Sequence, residues 1–322
     1  VVALNDRRSA DLTRIPAAGT VQFCIGICAT GESPTLVDLI DSIGRERFPA
    51  GFSLRKVIVV ASACGRQTLR FLEKVERLDP RVLLIREDER RGKARAINLI
   101  LEESVGEYLV MVNADAVPSP GAMSRLLRSI ERDESIGMVS GIPKIDPGRG
   151  IAANILDLMW ETANTCSQDL NPTHLSNHGT DELMVVRSDA VASIPDNVVN
   201  DGAYIAGRLR RSGFRVRSVA GAGVRVDVPS RPVEIISQRR RILYGHIQVR
   251  KLVGRAPVTA ESLMVLSPHR GFGALVRTVA KHPKLLAALP FAAACEFISF
   301  AGAILDSSRG ESKHAVWERY AD

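Results

Sequence analysis

Four short, mostly apolar runs at residues 21–28, 56–61, 82–86 and 108–113 alternate with three longer stretches whose apolar residues recur every three or four positions. This alternation constrains the fold more than any other feature of the chain. Near-continuous apolar runs bounded by turns read as strands buried on both faces, and the intervening periodic stretches read as helices that cover those faces. The first such helix is expected after Ser33-Pro34, with Leu36, Leu39, Ile40 and Ile43 on one stripe; the others are expected at 67–78 and 94–103. A βαβ series of this kind predicts an α/β fold with a mainly parallel central sheet flanked by helices. Ligands then belong at the carboxyl ends of the strands, where the loops 29–33, 62–67 and 114–120 fall.

The second half is less regular. Helices are expected at 121–132, 152–166 and 202–212, and strands at 183–187 and 214–220, with a polar run through His174 and His178 between them. Past Ser230 the chain turns basic, with Gln238-Arg239-Arg240-Arg241, Arg250, Lys251 and Arg255, a block that on its own reads as a solvated face. Residues 285–305 are almost uncharged, broken only by Pro290 and Glu296. At about 1.5 Å per helical residue such a run approaches the ~30 Å of a bilayer core, so it can span a membrane, lie in its interface, or pack in a homo-oligomer.

Lys and Arg exceed Asp and Glu by 43 − 36 = 7, which favours an anionic partner. Nucleoside diphosphates, polyprenyl phosphates and acidic headgroups qualify. Nucleic acid is excluded as a partner, because aromatics make up only 5% and no nucleic-acid-binding signature is present. The five cysteines (Cys24, Cys28, Cys64, Cys166 and Cys295) are odd in number and show no CxxC spacing, so they read as reduced thiols in a cytoplasmic setting, with neither a zinc site nor a disulfide frame. No signal-peptide layout is expected at the N-terminus.

Chemistry concentrates where the fourth strand ends. The apolar run Val110-Met111-Val112 passes directly into Asn113-Ala114-Asp115, a turn whose oxygen atoms can hold Mg²⁺ or Mn²⁺ against a diphosphate. An ordinary Asx turn is the bland alternative. Upstream, Gly92-Lys93 precedes a helix bearing Asn98; glycine permits close approach and the lysine can neutralise phosphate, although Gly-Lys before a helix is common. Downstream, Asn200-Asp201 precedes the helix at 202–212. Asp201 there is a favoured residue type for that helix's N-cap. His246, four residues after Ile242, falls on the helix face of the arginines and within reach of phosphate, though lone histidines such as His174, His178 and His246 are more often structural.

The order of these motifs, over about residues 21–250, resembles the family 2 glycosyltransferases of GT-A fold, the inverting group that includes polyprenyl-phosphate glycosyltransferases and the synthases of cellulose, chitin and hyaluronan. The resemblance implies four segments: an irregular arm at 1–20, a nucleotide-sugar-binding half at 21–122, an acceptor and catalytic half at 123–250, and a helical extension at 251–322 of a kind that can associate with a membrane. It implies a turn beside the nucleotide base in which this chain keeps Ala29 and Glu32. The second strand usually ends in acids that read the base or ribose; here Ser62 and Arg66 are the substitutes. Gly92, Lys93 and Asn98 match the family's Gly-Lys-x-x-Ala-x-Asn segment beside the donor. Asn113-Ala114-Asp115 matches its Asp-x-Asp metal motif, with Asn113 first, and Asn200-Asp201 matches its Glu-Asp, which implies Asp201 as the general base that takes the acceptor's proton, a role that an N-cap can share. Gln238 and Arg241 match its Gln-x-x-Arg-Trp signature, Ile242 replacing the tryptophan, and this favours transfer of a single sugar.

The function expected is therefore inverting, metal-assisted glycosyl transfer from a nucleoside-diphosphate sugar to a lipid-linked or other glycan acceptor, at the cytoplasmic face of an anionic membrane. Two other readings stay open. A sugar-phosphate nucleotidyltransferase would carry a Gly-rich, basic loop after its first strand, which residues 29–33 lack. A degenerate, non-catalytic scaffold is favoured by Asn113, Ile242 and the missing acids after 61, and opposed by Asp115, Asp201, Gln238 and Arg241.

Overall fold

The apolar runs are strands because both of their faces are covered. In the computed structural model, which describes residues 19–145, 150–173, 175–176, 178–310 and 313–316, alternate residues of each run enter different cores. The first half comprises β1 (Val21–Gly31), α1 (Thr35–Arg45), β2 (Phe52–Cys64), α2 (Arg66–Leu78), β3 (Val82–Glu87), α3 (Lys93–Glu103) and β4 (Tyr108–Asn113). Phe23, Ile25, Ile27, Val57, Val59 and Val110 pack with Leu36, Leu39 and Leu72 of α1 and α2. The intervening Cys24, Ile58, Val60, Leu109 and Met111 pack with Ile97 and Ile100 of α3. Gly26 is required on that face, since a Cβ there would sit 2.4 Å from Ile100 Cγ2.

The remaining elements are β5 (Ala116–Pro118), α4 (Ala122–Glu131), β6 (Ile136–Ile145), α5 (Ile151–Leu170), β7 (Leu183–Arg187), α6 (Asp201–Arg211), β8 (Arg215–Val226), α7 (Pro232–Val253), α8 (Ala260–Leu266), α9 (Pro268–Lys281) and α10 (Leu289–Arg309). One eight-stranded sheet has the order β3-β2-β1-β4-β7-β6-β8-β5. Its first half is parallel, as the alternation predicts. The second half is mixed: β7 runs antiparallel to β4 and β6, β8 is parallel to β6, and β5 is antiparallel to β8. Strand β6 is absent from the sequence expectation because Gly137, Gly141 and Pro143 break its apolar pattern. The glycines are there for close approach: a Cβ on Gly137 would lie 2.7 Å from Phe214 Cβ, and one on Gly141 would lie 2.9 Å from Ala222 O.

The basic block forms part of α7, a 22-residue helix opened by Pro232 and a reciprocal Arg231–Glu234 cap and closed by Gly254 at φ 82°. It continues through residue 250, so no break in the backbone falls there. Helix α10 lies along α7 and buries Ala292, Cys295, Ser299, Ala303 and Asp306 at helical spacing. All five cysteines are free thiols. Residues 1–18 of the expected N-terminal arm, and His174, lie outside the described residues.

Candidate active site

The carboxyl ends of β1, β2 and β4 open on a cleft of about 300 Å³. Its floor includes Cys28, Ala29 and Thr30 at the end of β1 and Ser62 near the end of β2; Gly92 and Lys93 start α3, and Asn113-Ala114-Asp115 follows β4. Gln238, Arg241 and Ile242 reach it from α7, and Ala315 and Val316 border it from the C-terminal side. Eight of the expected site residues therefore share one hollow: Ala29, Ser62, Gly92, Lys93, Asn113, Asp115, Gln238 and Arg241. Gly92 adopts φ 94°, and a Cβ on it would approach Ala315 O to 2.9 Å, so glycine is needed there for both conformation and space.

Asp201 lies just below this surface. Its side chain is 3% exposed, and Oδ2 is 3.2 Å from Lys93 Nζ, which also sits 2.6 Å from Asp181 Oδ2. Asp201 is the first residue of α6 and not its cap; Asn200 is the N-cap, its side chain accepting from the Ala203 amide.

Besides Asp201, three expected residues do not line the cleft. Glu32 accepts from the Thr68 hydroxyl (2.8 Å) and amide (3.2 Å), tying β1 to the first turn of α2. Arg66 is exposed at the start of α2. Asn98 brackets the segment before α6, donating to Ile194 O (2.8 Å) and Asp196 Oδ1 (3.2 Å) and accepting from the Ile194 amide (2.8 Å). At β2, the Ser62 hydroxyl donates to Glu87 Oε2 of the neighbouring strand (2.5 Å), and Arg95 holds the same carboxylate at 3.0 Å. Ala63 is an extra residue in the β1–β2 register, with φ 45°, a bulge that turns the end of β2.

Of the three consecutive arginines, only Arg241 faces the cleft. Arg239 pairs with Glu261 (2.7 Å) and Glu296 (2.6 Å), and Arg240 pairs with Asp306 (2.5 Å). Arg239 and Arg240 are thus neither phosphate-binding nor solvated, whereas Arg250, Lys251 and Arg255 are exposed, as the solvated-face reading expects. His246 does not approach phosphate with them. Its ring meets His178 edge-on at 5.2 Å, and burial, reinforced by His178, depresses its pKa to about 3, so it is neutral.

The structure adds Asp181 and Glu182, which the sequence reading missed. They precede β7, and because β7 runs antiparallel to β4, residues entering β7 arrive at the edge where residues leaving β4 depart. The signal was present, since an acidic pair abuts an apolar run just as Asn113-Ala114-Asp115 does, but the strand's direction cannot be read from its residues. Burial, together with Asp181 and Asp115, pushes Glu182 up to about 8. Burial also opposes ionisation of Asp181, but Lys93 outweighs it and holds that carboxyl at about 2. Asp201 is raised by burial against the pull of Lys93. Burial disfavours the Lys93 charge, yet Asp181 and Asp201 more than compensate, so Lys93 stays protonated. The Cys28 thiol, pushed to about 12 by burial, is no nucleophile.

Among the described residues no three His, Cys, Asp or Glu side chains form a ready-made metal cage. The donors present fit a cation that shares its coordination with substrate. Asp115 supplies a carboxylate at the cleft, and the Asn113 amide nitrogen is committed to Glu182 Oε2 (2.8 Å), leaving its carbonyl oxygen as the ligand atom. Mg²⁺ and Mn²⁺ suit such a set, since they take one or two carboxylates plus phosphate oxygens and water.

Comparison with known proteins gives the family and the fold. The profile of Glycosyl transferase family 2 matches residues 24–191. Poly-beta-1,6-N-acetyl-D-glucosamine synthase of Staphylococcus aureus is 19% identical over 192 residues, 58% of this chain but only 45% of that relative's length. Mannosyltransferase PcManGT from Pyrobaculum calidifontis, solved in complex with GDP-Man and Mn²⁺, superposes with a TM-score of 0.62 at 19% identity, covering 94% of this chain and 89% of its own, and it shows that the fold is shared.

Proposed function

Because the chain belongs to glycosyl transferase family 2 and has the GT-A fold, we propose that it transfers a single sugar, with inversion, from a nucleoside-diphosphate donor to a lipid-linked or membrane-proximal acceptor. The observation that carries the reading is the convergence of Asp115, Asp181 and Arg241 on one cleft, with Asp201 directly beneath it.

Arg241 neutralises charge on the departing diphosphate. Asp115 and Asn113 would hold Mg²⁺ or Mn²⁺, which when bound stabilises the leaving diphosphate as a Lewis acid. Asp201 takes the proton of the acceptor hydroxyl as its oxygen attacks the anomeric carbon opposite the leaving group. Its raised pKa brings it nearer to working pH than an ordinary aspartate, which suits a general base. Asp181 remains ionised, so the two carboxyls divide into a fixed anion and a titrating base.

The membrane-proximal acceptor is supported by the surface of α8–α10. Residues 283–309 are long and apolar enough to cross a bilayer. One side of α10, however, is ion-paired to α7 through Glu296 and Asp306, and the opposite side bares Phe297 (75% exposed), Phe300, Ile304 and Leu305. Val265 and Leu266 of α8 and Phe272 and Val276 of α9 are also bare, and Arg277, Lys281 and Lys284 are exposed nearby. This arrangement fits a surface lying in the interface of an anionic membrane.

The test is incubation with UDP- and GDP-sugars, Mn²⁺ or Mg²⁺ and a membrane lipid extract, following nucleoside diphosphate release and label in the lipid fraction. Turnover should fall at least about 100-fold in Asp115→Ala and Asp201→Asn. No turnover by the wild type on any donor, with lipid and nucleotide binding unaltered in both variants, would replace the reading with a scaffold.

A further inference from the structure

Lys93 and Asn98 lie five residues apart on α3, and their sequence context points them at the donor. Their contacts point elsewhere. The Lys93 ammonium, 24% exposed, lies between Asp181 (2.6 Å) and Asp201 (3.2 Å), so its charge is matched within the protein before any phosphate arrives. Asn98 makes three hydrogen bonds to Ile194 and Asp196. Gln248 of α7 holds the next residues, accepting from the Val199 amide (3.0 Å) and donating to Asn197 O (2.8 Å). Every polar side chain in this group therefore grips the segment 194–201, which has no strand pairing of its own before α6 begins at Asp201. Gly202 completes the fit: a Cβ there would lie 2.8 Å from Asp181 Cβ, so only glycine lets Asp181 pack against the first turn of α6.

We propose that Lys93 and Asn98 are positioning residues for Asp201, with Lys93 fixing the orientation and the ionised state of its carboxylate, and that neither is a ligand of the donor phosphates. This rests on Asp201 being the general base. The acceptor O–H bond then breaks toward an Asp201 oxygen that Lys93 has already aimed, the electron pair stays on the acceptor oxygen as it bonds to the anomeric carbon, and the diphosphate departs with the electrons of the old glycosidic bond. The charged groups facing Asp201 are Lys93 from α3 and Asp181 from the segment before β7; behind these stand the neutral Cys28 thiol of β1 and Arg241 of α7. Burial raises Asp201 and Lys93 opposes the rise, so removing the lysine moves the base upward.

The experiment measures kcat and donor KM, at several pH values, for Lys93→Met, Lys93→Arg, Asn98→Ala and Asp201→Asn in the full chain, with nucleoside diphosphate affinity measured separately by calorimetry. Expected is a loss of about 100-fold in kcat for Lys93→Met at neutral pH, with donor KM and diphosphate affinity within about three-fold of wild type. The acidic limb of its kcat–pH profile moves to higher pH, and Lys93→Arg recovers at least a tenth of the activity. Asn98→Ala lowers kcat with unchanged donor KM, and it decides the matter should Lys93→Met fail to fold. A ten-fold rise in donor KM, or the same loss of diphosphate affinity, at retained kcat in these variants overturns the proposal and makes Lys93 a phosphate ligand. An active Asp201→Asn instead removes the general-base reading itself, so the two failures are distinguishable.

Discussion

Asp306 gives the sharpest test of what holds α10 to α7. Its carboxylate is fully buried, yet it receives hydrogen bonds from Arg240 Nε (2.6 Å) and Nη2 (2.5 Å) and lies 2.8 Å from His314 Nε2. Burial pushes its pKa up, but these donors win and bring it from an ordinary 3.8 to about 2. A pH unit of displacement is worth 1.36 kcal/mol, so the ionised form stabilises the fold by about 2.5 kcal/mol at neutral pH. The native pKa is the lower one. The contribution is therefore complete above about pH 5, falls to roughly 1.3 kcal/mol at pH 3, and drops below about 0.5 kcal/mol by pH 2. Asp306→Asn keeps the shape and removes the charge. Urea unfolding of both proteins should show a gap of about 2–3 kcal/mol at pH 7 that narrows by about half at pH 3. A gap under 0.5 kcal/mol at pH 7, or one that does not change with pH, would mean that the Arg240–Asp306 pair is not what anchors α10.

Other outcomes follow from the same geometry. Gly26→Ala, whose new methyl would fall 2.4 Å from Ile100 Cγ2, should cost about 1–3 kcal/mol in urea unfolding through overpacking between β1 and α3. Asn200→Ala removes the cap of α6 and should lower stability by about 1 kcal/mol while reducing kcat more than donor KM, because the cap sets the turn that carries Asp201. Chelation with EDTA should abolish diphosphate release, with recovery on adding Mn²⁺ or Mg²⁺ but not Ca²⁺, since one carboxylate and one amide oxygen suit an ion completed by phosphate and water better than one that takes about six to eight oxygen ligands. Phe297→Asp with Phe300→Asp, both at exposed positions, should release the protein from anionic vesicles in sedimentation while leaving its thermal midpoint within about 2 °C of wild type.

The legibility of the chain follows its physics. Strands buried on both faces must be apolar throughout, so 21–28, 56–61, 82–86 and 108–113 could be read directly, and a parallel sheet puts its loops, and hence Ala29, Ser62 and Asn113-Ala114-Asp115, at one edge without further information. Residues matched by motif order alone fared unevenly. Gln238 and Arg241 reach the cleft from α7, whereas Glu32 and Asn98 spend their polar atoms on the backbone of neighbouring segments.

What the sequence determined by itself was a pattern of period: which residues must leave water, and hence where strands, helices and the ligand-bearing edge lie. Only the tertiary structure decided the direction of β7, which delivers Asp181 and Glu182 to the site, and the choice of partner for each charge. Burial is encoded locally, by the hydrophobicity of each side chain. A salt bridge depends on the distance between residues far apart in the chain, as Lys93 and Asp201 are or Arg240 and Asp306, and that distance exists only once the strands and helices have packed.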